Sequence, residues 1–202
     1  MSTLNGLPAH ILLVHAIVVL LPLTAGLLVL TAIWPTARHR LAGPNALLAL
    51  GVLVLVPITT SAGEWLESHI ASNALVEAHA ELGDTAIFAT IPVVILTLIV
   101  WWREREASSA ANVAAVIQPA EPLTTTRSGT STTTLARPVQ TRRVLLAPAS
   151  RVVTIVITVC AILAAGAAVY DTYRIGDSGA KATWQGEFSS TSTGEGTEPG
   201  GK

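Results

Sequence analysis

The stretch TAIFATIPVVILTLIVWW, residues 85–102, decides the fold of this chain because it contains no charged side chain. As a helix rising about 1.5 Å per residue it would be roughly 27 Å long, close to the ~30 Å hydrocarbon core of a bilayer. A backbone in lipid must satisfy its own hydrogen bonds, and an α-helix does so within a single segment. The stretch therefore predicts a transmembrane helix.

Three further stretches have the same character. Residues 41–63 and 152–170 are free of charge, and residues 11–34 contain one ionisable side chain, His15. Half of the 202 residues are hydrophobic and only 12% are charged, against about 25% in an average soluble domain. We therefore expect an all-α polytopic membrane protein, a four-transmembrane-helix bundle embedded in a lipid bilayer.

The rest of the chain is organised around these spans. Residues 1–102 are predicted to hold three transmembrane helices, with an acidic, partly apolar interfacial segment at 61–81. Residues 103–150 are rich in Thr, Ser, Ala and Pro, a composition typical of a mostly disordered linker. The fourth helix and an outer motif occupy 151–185, and a Gly-, Ser- and Thr-rich tail predicted to be disordered follows at 186–202.

Single residues predict where the helices begin and end. Pro35 is expected to end the first span, and Pro44 is expected in the first turn of the second, where its missing N–H does no harm. Asn73 is a candidate N-cap for the third helix. In the fourth span, the small residues around Gly166 predict a surface on which another helix packs closely.

The basic residues predict the orientation, since lysine and arginine mark the cytoplasmic side of bacterial membrane proteins. The 61–81 segment contains neither residue type, but it has four glutamates. We therefore expect a multi-pass protein of the bacterial plasma membrane with both termini outside and the 103–150 linker in the cytoplasm. Nine of the twelve basic residues lie in the predicted cytoplasmic segments: Arg38, Arg40, Arg103, Arg105, Arg127, Arg137, Arg142, Arg143 and Arg151.

Familiar enzyme motifs are missing from the sequence. It has no Gly-rich phosphate loop, no HExxH and no serine elbow, so no catalytic residue is predicted. Its single cysteine, Cys160, cannot form an internal disulfide. No basic patch points to nucleic acid, and partners are expected among other membrane or redox proteins or further copies of the chain.

Four of the five histidines fall on the predicted outer side: His10, His15, His69 and His79. His10 and His15 would point about 140° apart on one helix, so they cannot easily hold one ion together. An ionisable residue inside a span is a functional candidate, which singles out His15. His79 begins the third helix from the same side of the membrane.

These positions predict His15 and His79 as the two ligands of an outer-leaflet site, with haem b as the candidate cofactor and a non-haem metal or a structural role as the alternatives. His10, His69 and Asp177 are reserve members of the site. Thr85, Thr90, Glu64 or an unpaired backbone carbonyl are candidate acceptors that would fix the imidazole tautomers. The fifth histidine, His39, belongs to the basic inner edge.

Three segments resemble one known family: GLPAHILLVH at 6–15, EAHAELGDTA at 77–86 and YRIGDSGAKATW at 173–184. In this order on four spans they look like the bacterial predicted membrane proteins of domain-of-unknown-function family 2231, in its actinobacterial branch. The resemblance covers roughly residues 6–102 and 150–185. The first and third segments are fairly specific, and the middle one is weak alone.

The resemblance implies little about activity, because the family has no settled one. Some relatives are joined to Rieske-type or cytochrome-type domains, which implies a redox setting at the outer face. Many relatives carry a histidine where this chain has Asp177, so a ligand role for that position would be lost or altered here.

Three functions remain open on the sequence alone. The first is a structural or accessory membrane subunit without chemistry of its own. The second is a b-type haem or metal-binding redox protein with histidine ligands from different helices. The third is a transport role, which the lack of acids and bases in the middle of the spans makes the weakest.

Overall fold

A computed structural model describes residues 3–4, 7–69, 73–117 and 150–184 of the chain. A short antiparallel pair, β1 (Thr3–Leu4) and β2 (Leu7–Pro8), comes first. Four helices make up almost all of the rest: α1 (Ala9–Ile33), α2 (Pro35–Glu67), α3 (Ala74–Ile117) and α4 (Arg151–Trp184). All four are long and apolar enough to cross a membrane, which confirms the predicted all-α, four-helix architecture.

The helices run up and down and form a closed ring. Each helix packs against the next in sequence, α4 packs against α1, and α1 makes a smaller contact with α3 across the bundle. The starts of α1 and α3 and the ends of α2 and α4 therefore share one end of the bundle. We call it the histidine end, after His10 and His79, and we call the opposite end the basic end, after Arg38, Arg103 and Arg151.

The exposed surface of the bundle is that of a membrane protein. Leu47 and Phe88 are 74% and 73% exposed, and every helix exposes large apolar side chains in this way. Such a surface would be strongly unfavourable in water, where large apolar patches drive association, but it is favourable in contact with lipid. Smaller residues and branched aliphatics fill the interior: Leu21, Ala25, Leu28, Val52, Val56, Val93, Val100, Ala161, Ala165 and Ala168.

The junction of α1 and α2 is tighter than predicted. Trp34 alone separates the two helices, with extended backbone angles (φ −107°, ψ 111°), as expected for a residue that precedes proline. Pro35 stands in the first turn of α2, which needs no N–H there. The expectation that Pro44 opens the second helix is therefore wrong, because Pro44 lies inside α2.

The predicted interfacial segment 61–81 is divided between two helices. Its first part continues α2 as far as Glu67. Asn73 then caps α3, as predicted, since its Oδ1 accepts bonds from the backbone N–H groups of Leu75 (2.9 Å) and Val76 (3.0 Å). Glu77 lies in the first turn of α3, where its negative charge interacts favourably with the helix dipole.

The third and fourth helices extend beyond their apolar stretches. α3 continues past Trp102 to Ile117, so the beginning of the predicted 103–150 linker is helical. α4 begins at Arg151, as predicted, and includes the whole 173–184 motif. The rest of the linker, at 118–149, and the tail after 184 lie outside the described residues.

The small residues of α4 pack differently from our expectation. Ala161, Ala165 and Ala168 are buried in the bundle. Gly166 is exposed instead, and a Cβ atom added there would meet nothing within 4 Å. The prediction that Gly166 lies in the packed surface is therefore wrong, because one residue of helix turns the side chain by about 100°.

Candidate functional site

Two histidines from opposite helices meet at the histidine end. His10 lies in the first turn of α1, and His79 lies near the start of α3. Their ring centres are 6.4 Å apart, and the rings are inclined at 77° to each other. Both side chains are half-buried, so the diagonal contact between α1 and α3 brings two imidazoles together within the bundle.

The His10 ring packs against α2. A Cβ atom at Gly63 would lie 3.0 Å from Cε1 and 3.1 Å from Nδ1 of His10, so only glycine allows this approach without a shift. One turn earlier on α2, the Thr59 carbonyl oxygen lies 3.0 Å from His10 Nδ1. A carbonyl only accepts hydrogen bonds, and therefore Nδ1 of His10 carries the proton.

The His79 ring packs against α4 in a similar manner. A Cβ atom at Gly179 would lie 3.0 Å from Cε1 of His79. The ring Nδ1 is 2.9 Å from the Ser178 hydroxyl, and that hydroxyl donates its own proton to the Ile175 carbonyl at 2.8 Å. Ser178 must therefore accept, and Nδ1 of His79 donates to it.

The two hydrogen bonds fix the same tautomer in both rings. In a neutral imidazole with a protonated Nδ1, the other nitrogen, Nε2, has a free lone pair. A hydrogen bond from Nδ1–H to a carbonyl or a similar acceptor is the arrangement that orients histidine ligands in metal sites. The site therefore presents two nitrogen lone pairs, from His10 on α1 and His79 on α3.

The spacing of the rings suits a single metal centre. If two imidazoles held one ion between them, with metal–nitrogen bonds of about 2.0–2.1 Å, their ring centres would be roughly 6 Å apart. The observed 6.4 Å is close to this value. Within the described residues, no group of three or more His, Cys, Asp or Glu side chains is placed to hold an ion.

The structure places the other predicted site residues elsewhere. His15 is exposed on α1, and its Nδ1 lies 2.6 Å from the Ile11 carbonyl of the same helix. His69 is also exposed and stacks on Trp65, with ring centres 4.1 Å apart. His79 therefore has His10, a reserve residue in the sequence analysis, as its neighbour.

Asp177, the last reserve residue of the predicted site, and His39, which was assigned to the basic edge, have partners of their own. Asp177 accepts a hydrogen bond from Lys181 at 2.6 Å, one turn along α4. His39 lies at the basic end, as predicted, 2.8 Å from Glu104. Of the predicted tautomer-fixing acceptors, Thr85 instead contacts Asp171 at 3.3 Å.

The sequence analysis did not identify the residues that contact the two imidazole rings: Thr59, Gly63, Ser178 and Gly179. The signal for two of them was present, since Ser178 and Gly179 belong to the 173–184 segment. The 6–15 and 77–86 segments supply His10 and His79, so all three segments of the family resemblance meet at this site.

No protein-family model matches the chain, and neither a curated protein nor a solved structure matches it. The resemblance to family 2231 therefore stays a prediction that rests on the three quoted segments.

Proposed function

We propose that this protein is an accessory membrane protein that holds one transition-metal centre between Nε2 of His10 and Nε2 of His79. The observation that carries the proposal is the pair of hydrogen bonds from the two Nδ1 atoms to Thr59 and Ser178. Together they leave both Nε2 lone pairs as ligands, and the ring spacing fits one metal between them.

Two forms of this centre are compatible with imidazole ligands. If haem b were bound, His10 and His79 would be the residues that hold its iron. A bare ion of zinc, copper, iron or nickel also binds imidazole, and its remaining positions would be filled by water or by a partner protein. Both forms place the site in a redox or metal-handling setting, as the family resemblance implies.

We place this site on the outer face of a bacterial plasma membrane. The support is the excess of arginine in the segments at the other end of the bundle and its absence from the 61–81 segment. An outer-face site is accessible to extracytoplasmic partners, which suits an accessory subunit of a larger membrane assembly.

The test is the metal content and optical spectrum of protein purified in detergent from cells supplied with haem precursor and metals. We expect about one metal or haem per chain in the wild type, and loss of it in His10→Ala and His79→Ala. His15→Ala is the matched control, because His15 is on the same helix as His10 but exposed, and it should keep the wild-type content. Binding should weaken in acid, since a protonated imidazole has no free lone pair.

The same experiment separates the forms of the centre and can reject the proposal. A Soret band with α and β bands indicates haem b, whereas a colourless protein with stoichiometric metal indicates a bare ion. Wild-type protein with neither chromophore nor metal contradicts the proposal. Loss in His15→Ala but not in His10→Ala would restore the pairing of His15 with His79.

A purely structural role is the second candidate, and the same hydrogen bonds favour it. His10 ties α1 to α2 through Thr59, and His79 ties α3 to α4 through Ser178. In that case His10→Ala and His79→Ala would lower the thermal stability of metal-free protein by about 0.5–1.5 kcal/mol each, the net value of one hydrogen bond, while no metal would be found in the wild type.

A further inference from the structure

A row of outward-facing residues runs along the whole of α4, on the side of the helix away from the bundle. Five of its members are seven residues apart, and all five are exposed: Val152, Val159, Gly166, Tyr173 and Ala180. Positions 156, 163, 170, 177 and 184 alternate with them. We call these ten positions the α4 stripe. Ala161, Ala165 and Ala168, which pack in the bundle, lie on the other side of the helix.

The spacing within the α4 stripe is that of a helix that packs against another helix along its length. Neighbouring members are alternately four and three residues apart, an average of 3.5, which is the repeat of a coiled-coil seam. The repeat holds over all 34 residues of α4, longer than the ~3–4 heptads that indicate a coiled coil.

Lipid accounts for only one part of the α4 stripe. Residues 152–170 are charge-free, and apolar side chains there can face hydrocarbon without a protein partner. From position 170, however, the helix continues for 14 residues to Trp184, about 21 Å at 1.5 Å per residue, which is well beyond the headgroup layer. Tyr173 and Trp184 are 67% and 57% exposed. Exposed apolar surface in water marks an interaction site.

The third helix shows a solvated surface at the same end of the bundle. Before its charge-free stretch, α3 exposes Glu81 and Asp84, whose carboxylates are well hydrated in water. On α4, the outward positions beyond its own charge-free stretch include Tyr173, Ala180 and Trp184 instead. The difference indicates that this part of α4 is covered in the membrane and α3 is not.

The charges along the α4 stripe allow two identical stripes to meet. Its one carboxylate, Asp177, accepts a bond from Lys181 at 2.6 Å, so the pair has no net charge. Arg174, beside the stripe, lies over the Tyr170 ring at 6.0 Å. Two copies in one orientation in the membrane meet about a two-fold axis, where each residue faces its own counterpart. A stripe without excess charge does not repel its copy there.

Gly166 is the position at which two α4 helices would come closest. Glycine is unfavourable inside a helix, and a Cβ atom at Gly166 would meet nothing within 4 Å, so packing in the bundle does not require it. Between two helices in lipid, small residues allow the backbones to approach closely. A second α4 would therefore explain a glycine that the single bundle does not use.

The length of the α4 stripe is sufficient for a stable dimer. A helix of 34 residues is about 50 Å long and, with its side chains, about 10–12 Å wide. Contact along the stripe would therefore cover roughly 500 Å² on each copy. The total for two copies reaches the ~1,000 Å² that a specific interface needs.

We infer that a second copy of this chain docks on the α4 stripe, so that two bundles pack side by side through parallel α4 helices. Asp177, a polar residue within an otherwise apolar or aromatic seam, fixes the register of the two helices. The interface does not depend on the proposed metal centre, because His10 and His79 belong to α1 and α3.

Disulfide formation between copies, in native membranes and a Cys160→Ala background, tests the interface. Gly166→Cys and Tyr173→Cys should each give disulfide-linked dimers on mild oxidation, since the two-fold axis brings each position next to its counterpart. Ile162→Cys, on α4 beside the stripe, and Phe88→Cys, on α3, are the controls, and both positions are exposed. They should give about fivefold less dimer or lower still, because a disulfide needs Cα atoms within about 7 Å.

The mass of the purified protein in mild detergent provides a second measurement. Wild type should contain two chains, and Tyr173→Glu should weaken the dimer by about tenfold or more, because it places like charges opposite each other. Leu75→Glu adds the same charge to an exposed apolar position on α3 and should leave the dimer unchanged. Thermal unfolding of the Tyr173→Glu monomer checks that the bundle itself is intact.

The pattern of cross-links in the membrane decides the result. Dimers from Gly166→Cys and Tyr173→Cys, with little from the two controls, support the inference. Equal cross-linking at all four positions indicates random collision and overturns it. Preferred cross-linking at Phe88→Cys, or wild-type protein that is monomeric and does not cross-link through the stripe, overturns it as well.

Discussion

The two ends of the bundle use paired nitrogen-bearing side chains in opposite ways. At the histidine end, the Nδ1 protons of His10 and His79 are bound to neighbouring helices, and the remaining nitrogens are lone-pair donors that suit a cation. At the basic end, Arg38 and Arg103 carry permanent charges and only N–H donors, which they give to backbone carbonyls of α1 and to the Thr154 hydroxyl. In both cases, hydrogen bonds to other helices hold the side chains in place.

The two ends also differ in how the backbone admits the side chains. Gly63 and Gly179 let the imidazoles approach the neighbouring helices to contact distance. The guanidiniums have long stems and reach carbonyl and hydroxyl groups without such glycines. A small change of helix surface should therefore disturb the histidine end more than the basic end.

The largest expected effect concerns the sides of the membrane. If the two ends face opposite compartments, cysteines at Ser68 and Ser128, in a Cys160→Ala background, should label oppositely with an impermeant thiol reagent on intact cells. Ser68→Cys, next to the histidine end, should react because its position is outside, and Ser128→Cys, in the predicted cytoplasmic linker, should not. The reverse pattern would contradict the proposed orientation.

A second effect separates two glycines of one motif. Gly179→Val should push the His79 ring away and destabilise the protein by about 1–3 kcal/mol, the usual cost of overpacking, with loss of any bound metal. Gly176→Val should have a much smaller effect, because a Cβ atom at Gly176 meets nothing within 4 Å. Thermal unfolding in detergent measures both, and equal effects of the two variants would show that the ring is not held by Gly179.

The smallest expected effect is the coupling between the ends. His79 and Arg103 are separated by roughly 36 Å along α3, at about 1.5 Å per residue. Their variants, His79→Ala and Arg103→Gln, should therefore act additively on the free energy of unfolding, with a coupling below about 0.5 kcal/mol. A larger coupling in the double-mutant cycle would mean that the ends communicate, and that they should be treated as one functional unit.

The sequence analysis was more successful for spans than for side-chain directions. Absence of charge over 85–102 was enough to predict α3 as a membrane helix, and Asn73 marked its start. In contrast, α1 is apolar on every side, so nothing in its pattern tells which face is buried. His15 was therefore chosen as a ligand for its depth, whereas the bundle turns His10 toward His79 and leaves His15 exposed.

The helix ends were also predicted only in part. Proline at position 35 was correctly read as the boundary between two helices, but the single-residue junction at Trp34 and the continuation of α2 through Pro44 were not predicted. Arg38 helps to explain the tight turn, since it caps the carbonyls that the end of α1 leaves free. Such a bond joins two helices and has no periodic signature in the sequence.

The sequence by itself determined that this chain is a four-helix membrane protein, because charge-free stretches of bilayer length have one stable solution in lipid. Its arginine distribution also predicts an orientation. Only the tertiary structure decided which polar side chains meet. His10 and His79 lie close together, packed against Gly63 and Gly179, and Arg38 and Arg103 line one cleft. The physical reason is that a helix turns each successive side chain by about 100°, and the packing of all four helices selects which of those directions point inward.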